Sequence, residues 1–379
     1  MCALHQGKGG KTDLIAGWLQ DRLMHGVYNG SKRIESENEL AELFQVTRLT
    51  ARQAITRLEQ AGLVTRIQGK GTFAYQPPSV YKNDNHKRIA FVTRDMKDQV
   101  FTYTLEGAKA ECEKAGYQMD VYATADNTAQ QRRVLQSLLE APVDGLIVEA
   151  FKTGLPAPNE DVFRAFCTKG IPLVFLNGYY HDISGISYVV ASDRAATSSL
   201  VDHLVSLGHK KIGGIFNAIE YAGYERYKGY LEGLVKNGLA YDDHSVMFIS
   251  HDQVEYVFDN LFNAYRTGIL ECTAMVCFSD HFARHLEATL ARCGLTMPGD
   301  MSITGIDDLN FSFGSNTRLT TAVHPKERMG SEAVQSILDM LASGNLVAGK
   351  EIPMPIVIGN STSTPRSGPI ATFSPYMRL

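Results

Sequence analysis

Short apolar runs alternate with longer helical stretches over most of this chain, and the alternation begins at Arg88. The runs Ile89 to Thr93, Gln118 to Tyr122, Gly145 to Val148, Leu173 to Leu176, Ile212 to Phe216, Val246 to Ile249, Ala274 to Phe278 and Ser302 to Ile306 read as strands. The stretches between them have helical spacing. Several close on a glycine, at Gly116, Gly170, Gly208, Gly238 and Gly294, as helix C-caps do. Such alternation implies parallel sheets with helices on both faces. A weak repeat divides the region in two: Lys87-Arg88-Ile89 with a helix to Ala115-Gly116-Tyr117 matches Lys210-Lys211-Ile212 with a helix to Asn237-Gly238-Leu239. Two similar lobes leave a cleft between them, and ligands of open α/β sheets sit at the carboxyl ends of strands.

The first 75 residues follow a different pattern. Leu14, Ile15, Trp18, Leu19 and Leu23 mark one amphipathic helix. Ser36-Glu37-Asn38-Glu39 is a capping box, and Leu40, Leu43 and Phe44 give the helix that follows it an apolar face. Gln45-Val46 breaks that run and Thr47 offers a second N-cap. On the next helix Ala51, Ala54, Ile55 and Leu58 share a face, leaving Leu49, Gln53 and Thr56 outward, with Arg48, Arg52 and Arg57 on the shoulders. Gly62 ends it, and Leu63 to Ile67 and Thr72 to Tyr75 read as a hairpin tipped by Gln68-Gly69-Lys70-Gly71. A helix-turn-helix beside a basic hairpin is a winged helix. Its cations and amides can hold phosphates, while Arg and Gln can pair bidentately with guanine and adenine edges.

Charge localises that function. The whole chain carries a net charge of -4, yet residues 1–76 hold ten Lys/Arg against seven Asp/Glu, a balance of +3, so nucleic-acid contact must be local. Six cysteines are scattered without a CxxC pair and read as reduced core thiols. No apolar run approaches the roughly 20 residues that span a membrane, and the N-terminus lacks a signal peptide's apolar segment, so a cytoplasmic location is expected. Gly7-Lys8-Gly9-Gly10-Lys11-Thr12 fails as a phosphate loop because His5 stands where the first glycine must be. Cys277, His281 and His285 lack a fourth zinc ligand. No nucleophile elbow or titratable cluster supports catalysis, and no cofactor or metal is expected. Residues 77–87, opening on Pro77-Pro78, read as a linker, and the Pro/Ser/Thr-containing tail 367–379 reads as disordered.

The N-terminal region resembles the GntR family of winged-helix regulators. The matching residues are Ile15-Ala16, Leu19, Gly26, Ser36-Glu37-Asn38-Glu39-Leu40-Ala41, Val46-Thr47-Arg48, Ala51-Arg52-Gln53-Ala54, Leu58-Glu59, Gly62-Leu63-Val64 and Gly69-Lys70-Gly71-Thr72-Phe73. The resemblance implies a dimer on a near-palindromic operator. It places Arg48, Thr50, Arg52 and Gln53 at the major groove and Gln68, Gly69 and Lys70 at the minor groove, with Asn38 as a further candidate contact. The chain departs from the family at Ile34-Glu35, where Leu-Pro is usual, and at Asn38, where Arg is common.

Residues 88–362 resemble the sugar-binding module of the lactose and galactose repressor family. The resemblance is carried by Val143-Asp144-Gly145-Leu146-Ile147-Val148, Gly170-Ile171-Pro172, Leu207-Gly208-His209-Lys210-Lys211-Ile212, Arg226, Phe278-Ser279-Asp280 and Pro298-Gly299-Asp300 among others. It implies a fold class of a small α+β winged helix-turn-helix (1–76) joined to a two-lobed α/β domain with parallel sheets (88–366). Lobe one then spans about 88–190 and 320–345, and lobe two about 191–318 and 352–362. A polyol needs planar hydrogen-bonding groups and an aromatic face. The resemblance offers Arg226, Asp280 and Phe101, and position after strands offers Glu149, Lys152 and His324. Asp280 also fits a plain N-cap of the helix that follows. Together with Leu176-Asn177-Gly178-Tyr179-Tyr180 and Glu149-Ala150-Phe151-Lys152, the combination is most similar to arabinose-responsive repressors. The expectation is a dimeric repressor released from operator DNA by a monosaccharide, L-arabinose. The alternatives are a regulator answering another sugar or a nucleoside, and a ligand-binding module without DNA release.

Overall fold

The computed structural model describes residues 10–24, 28, 33–60, 63–67, 69–74, 81, 84–96, 99–183, 185–217, 219–249, 272–292, 294–309 and 317–366. Residues 1–9, the Gly62 cap, Gln68, most of the linker and the tail lie outside them.

Three helices and a hairpin form the N-terminal unit: α1 (Lys11–Met24), α2 (Glu37–Leu43), α3 (Arg48–Gln60), β1 (Val64–Ile67) and β2 (Gly71–Ala74). The apolar spacing explains their packing, since Ile15, Leu19, Leu40, Ala54, Ile55 and Leu58 are buried in one core. Trp18 meets Phe44 edge-on at 5.3 Å and closes the gap between α1 and the end of α2. Both halves of the capping box form: the Glu39 amide donates to Ser36 Oγ (3.3 Å) and the Ser36 amide to Glu39 Oε2 (2.6 Å).

Lobe one contains β3 (Arg88–Thr93), α4 (Gln99–Lys114), β4 (Gln118–Ala123), α5 (Thr128–Leu139), β5 (Gly145–Glu149), α6 (Glu160–Lys169), β6 (Leu173–Leu176) and β7 (Ser187–Ala191). Lobe two follows with α7 (Asp193–Ser206), β8 (Ile212–Phe216), α8 (Tyr221–Lys236), β9 (Val246–Phe248), β10 (Ala274–Cys277), α9 (Asp280–Arg292), β11 (Ser302–Ile306) and β12 (Thr320–Ala322). The chain then returns to lobe one for α10 (Lys326–Ser343) and β13 (Lys350–Ile352), and crosses again to place β14 (Ile356–Val357) in lobe two. The two sheets run β13-β7-β6-β5-β3-β4 and β14-β12-β11-β10-β8-β9, and every pairing but β12 with β14 is parallel. Their central strands are buried on both faces, which is why they appear as unbroken apolar runs. Gly170 caps α6 at φ 75°, and Gly116, Gly208, Gly238 and Gly294 share its left-handed conformation.

One expectation is corrected. The segment from Thr320, assigned above to lobe one, pairs in parallel with Thr304–Ile306 and is a strand of lobe two. The crossing into lobe one therefore comes after Ala322, and only from α10 onward does the chain cover the first sheet. Strand β7 was not read from the sequence; it lies between β6 and β13 and is buried throughout.

Lobe one is closed by a close crossing of α4 and α10. A Cβ at Gly330 would lie 1.9 Å from the Thr104 carbonyl oxygen, and one at Gly107 would lie 2.0 Å from that of Glu327. Backbone atoms cannot yield as a flexible side chain can. Gly107→Ala and Gly330→Ala should each destabilise the protein by about 1 to 3 kcal/mol through overpacking, measured as a lower urea midpoint with an unchanged slope.

Candidate functional site

At the end of β5, Glu149 ties three strand ends together. Its carboxylate accepts from Thr93 Oγ1 (2.8 Å) at the end of β3, from the Arg94 amide (3.2 Å) just beyond it, and from Asn177 Nδ2 (3.1 Å) after β6. Asn177 sits at φ 62°, a left-handed conformation that asparagine tolerates better than most residues. Across the cleft, Arg226 on α8 is 4% exposed and holds lobe two's half of the site. Its Nε donates to Asp193 Oδ1 (2.6 Å), its Nη1 to the Phe278 carbonyl, and its guanidinium lies 4.6 Å from the Phe278 ring centroid. Asp307, after β11, stands 3.8 Å from Arg226 Nη2. Burial raises the Asp193 pKa and the adjacent guanidinium pulls it back, the balance expected of an ion pair removed from water.

These groups enclose a cavity of about 460 Å³ between the lobes. That is within the range of small-molecule sites. Arg94, Gln99, Glu149 and Asn177 line it from lobe one, and Asp193, Glu220, Arg226, Phe278, Ser279 and Asp307 from lobe two. His324, on the crossing between β12 and α10, lines it too. Two buried polar atoms of this lining, Asn177 Oδ1 and His324 Nδ1, have no hydrogen-bond partner among the described residues. Unpaired buried acceptors and donors are costly, and a ligand rich in hydroxyls would satisfy both.

Of the effector residues expected from the sequence, the structure brings Glu149, Arg226 and His324 to the cavity and leaves three off its wall. Phe101 is buried in lobe one's core, edge-on to Phe91 at 5.6 Å. Lys152 is exposed, and its amide, not its ammonium, is used, donating to Glu220 Oε2. Asp280 is buried one layer behind the cavity. It accepts from Thr321 Oγ1 (2.7 Å) and the Leu309 amide (2.9 Å), and packs on Gly305, where any Cβ would strike it. Burial pushes its pKa up to about 6. Nor does its side chain cap α9; Ser279 Oγ faces the Phe282 amide instead. Arg94, Asn177, Asp193, Glu220 and Asp307 were missed. All five flank strand or helix ends, and position after a strand was the available signal.

The second candidate surface is the outward side of α3 and the wing. Arg48, Arg52 and Gln53 are exposed, Leu49 is 62% exposed between them, and Thr50 Oγ1 meets Thr47 Oγ1 at 2.9 Å. Thr47 Oγ1 also accepts the Thr50 amide, so α3 is capped as predicted. Glu37 holds both arginines: Arg48 Nε donates at 2.8 Å, Arg52 Nε at 2.9 Å and Arg52 Nη2 at 3.1 Å. These bonds, Arg52's foremost, hold the Glu37 pKa down at about 2. Asn38 is exposed beside this cluster, and Gly69 (φ 76°) and Lys70 are exposed at the wing tip. Arg66 Nη2 ties the wing to α3 through Thr56 Oγ1 (2.9 Å). Among the described residues no group of three or more metal-ligating side chains is found, and no helix is long and apolar enough to cross a membrane.

A winged helix presenting arginines, joined to two parallel-sheet lobes around a polar cavity, defines a ligand-responsive transcription regulator. Comparison with known proteins agrees. Residues 11–74 match the gntR family of bacterial regulatory proteins and residues 201–362 the periplasmic binding protein-like domain. The chain thus carries a GntR-type DNA-binding domain and a periplasmic-binding-protein-like effector domain. It is 29% identical over 336 residues to the arabinose metabolism transcriptional repressor of Halalkalibacterium halodurans, covering 87% of this chain and 89% of that protein. Its match to the protein of the same name from Geobacillus stearothermophilus is also 29%, over 359 residues, 92% of this chain and 95% of that one. Among solved structures, the lac repressor dimer bound to operator superposes with a TM-score of 0.64 at 20% identity, over 74% of this chain and 96% of that one. A LacI family regulator from Enterococcus faecium with bound ribose gives 0.62 at 19%, over 74% and 100%. These two likenesses concern the fold.

Glu37→Ala frees Arg48 and Arg52 from their common anchor, and operator affinity measured by fluorescence anisotropy at fixed salt should fall about tenfold, with the fold intact by circular dichroism. His324 is 7% exposed, and burial, with Arg226 and Lys326 nearby, lowers its pKa to about 3. In the unfolded chain it titrates near 6.5. The unfolded state therefore takes up a proton as pH drops below 6.5 and the folded state does not, so stability is lost on acidification. His324→Gln should flatten the stability decline between pH 6.5 and 5 by about 1 to 2 kcal/mol in urea titrations.

Proposed function

We propose that the chain is a sugar-responsive transcriptional repressor: a homodimer on a near-palindromic operator, released when a monosaccharide, L-arabinose, enters the cleft. The observation that carries the effector reading is the pair of unpartnered buried atoms, Asn177 Oδ1 and His324 Nδ1, in a cavity that carboxylates and guanidinium groups line together with Phe278 and small apolar residues. A sugar offers each hydroxyl as both donor and acceptor, which suits such a wall. Glu149, Asp193, Glu220 and Asp307 against Arg94 and Arg226 leave the lining with an excess of acid, which favours an uncharged polyol over a sugar phosphate. Glu149, Arg226 and His324, with Arg94 and Asn177, take the hydroxyls; Phe278 supplies the apolar face; Asp280 and Phe101 brace the wall from behind. The two arabinose repressors similar to this chain support the choice of sugar.

Asn38, Arg48, Thr50, Arg52, Gln53, Gly69 and Lys70 contact operator DNA in this reading, as would Gln68, which lies outside the described residues. The protein works in the cytoplasm, by binding and without catalysis. Linkage supplies the mechanism, since a sugar that binds one arrangement of the lobes better shifts the dimer toward it and changes the spacing of the two winged helices.

Anisotropy of a labelled operator at fixed salt tests this, with L-arabinose, other pentoses, hexoses and nucleosides added in turn. L-arabinose should weaken binding about tenfold to a hundredfold. Operator binding indifferent to every compound would remove the cleft from the account, and release by a different sugar would replace the effector.

A further inference from the structure

The three chain crossings between lobes, at 191–193, 322–326 and 352–356, all leave from one edge, where β7 and β13 face β12 and β14. A hinge on that side lets the lobes part on the other. The lobes are also joined by a second, non-covalent kind of contact. The segment leading into α8 lies against the loop after β5: the Gly154 amide donates to the Ile219 carbonyl (2.8 Å), the Lys152 amide to Glu220 Oε2 (2.9 Å), and the Tyr221 amide to Thr153 Oγ1 (2.7 Å). Arg94 Nη1, from lobe one, reaches Glu220 Oε1 at 3.3 Å. Tyr221 leaves its own lobe to pack on lobe one's core, with its ring 4.8 Å from that of Tyr179, which in turn stacks on Tyr188 at 4.0 Å. The approach is close enough that a Cβ at Gly178 would sit 3.0 Å from Tyr221 Cβ and 3.2 Å from Thr153 Oγ1.

We propose that residues 219–221 and 152–154 form a clasp that holds the lobes together beside the cavity, and that the Arg94–Glu220 pair makes this clasp sensitive to what occupies the cavity. Both members of the pair line the cavity and belong to different lobes, so a ligand hydroxyl bound to either acts directly on an interlobe bond. The clasp stands without reference to any ligand. Its coupling rests on the reading of the cleft as an effector site. Glu220 is suited to the part: it is 9% exposed, and each oxygen serves a different group of lobe one, so its alignment depends on the lobes being apposed. The acceptors of the Lys152, Gly154 and Tyr221 amides all come from the opposite lobe, so their hydrogen exchange reports clasp opening.

The test is hydrogen exchange followed by mass spectrometry on the full-length protein. Without ligand, peptides covering 151–155 and 219–222 should exchange slowly in the unsubstituted chain and about tenfold faster in Glu220→Ala, with the sheet strands unchanged. Glu220→Gln keeps an oxygen for the Lys152 amide but loses the charge facing Arg94, and should fall between the two. Unprotected segments in the unsubstituted chain, or protection unaltered by Glu220→Ala and by Thr153→Ala, would overturn the clasp. With L-arabinose, protection of these peptides should change in the unsubstituted chain and not in Glu220→Gln at saturating sugar. An equal change in both would overturn the pair's role in reading occupancy. If calorimetry shows that L-arabinose does not bind at all, the effector reading fails while the ligand-free comparison still decides the clasp.

Discussion

The arrangement of the cleft depends on one buried charge. Arg226 is almost wholly removed from water, and a lone guanidinium there would be prohibitively unstable. Its partners therefore fix where four pieces of lobe two must meet: Asp193 at the start of α7, the Phe278 carbonyl after β10, Asp307 after β11, and α8 itself. Because Asp193 follows directly on a crossing from lobe one, the same ion pair anchors the hinge. Polar binding groups on loops are normally mobile. Here they are held because moving any one of them would strand a charge.

Lobe one solves the matching problem with a carboxylate. Glu149 accepts from the segments after two neighbouring strands and so sets the spacing of the loops that follow β3, β5 and β6. The two halves of the cavity are thus organised with opposite charges at their centres. Glu220 and Arg94 reverse that pattern at the clasp, where lobe two presents the acid and lobe one the base. In the winged helix the same chemistry recurs in exposed form, with one glutamate presenting two arginines on α3. Exposed pairs contribute little to stability. In the proposed function their value lies in restricting the rotamers of long side chains before DNA arrives.

The architecture was legible where backbone physics leaves a mark on residue type: the S-x-x-E capping box, glycines at left-handed helix ends, and buried parallel strands written as apolar runs. The winged helix and most of both sheets follow from these. The cavity was less legible. A strand's period predicts which side chains enter the core, but in the one to four residues after a strand there is no period to follow. Glu149 and Asn177 face inward while Lys152, three residues past Glu149, faces out. Phe101 is a case where the period was informative and the resemblance was not: with Thr104, Ala108 and Cys112 it makes the buried face of α4, and helical spacing alone assigns it to the core. The short strands β13 and β14, three and two residues long, give too little pattern to read, and the position of β12 in lobe two depends on pairing across the chain.

The return of α10 and β13 to the first lobe has a consequence for how the protein is made. Lobe one's sheet gains its β13 edge, and its core the helix bearing Met329, Val334, Ile337 and Met340, only from residues that follow all of lobe two up to β12. On a ribosome working from the N-terminus, the winged helix can fold as soon as it emerges, and the inner strands of lobe one can pair. The face that α10 will cover must wait, apolar and open, until some 130 further residues separating β7 from α10 have been added. Neither lobe is therefore complete until the last stretch of chain has emerged: lobe one waits for α10 and β13, and lobe two for β14.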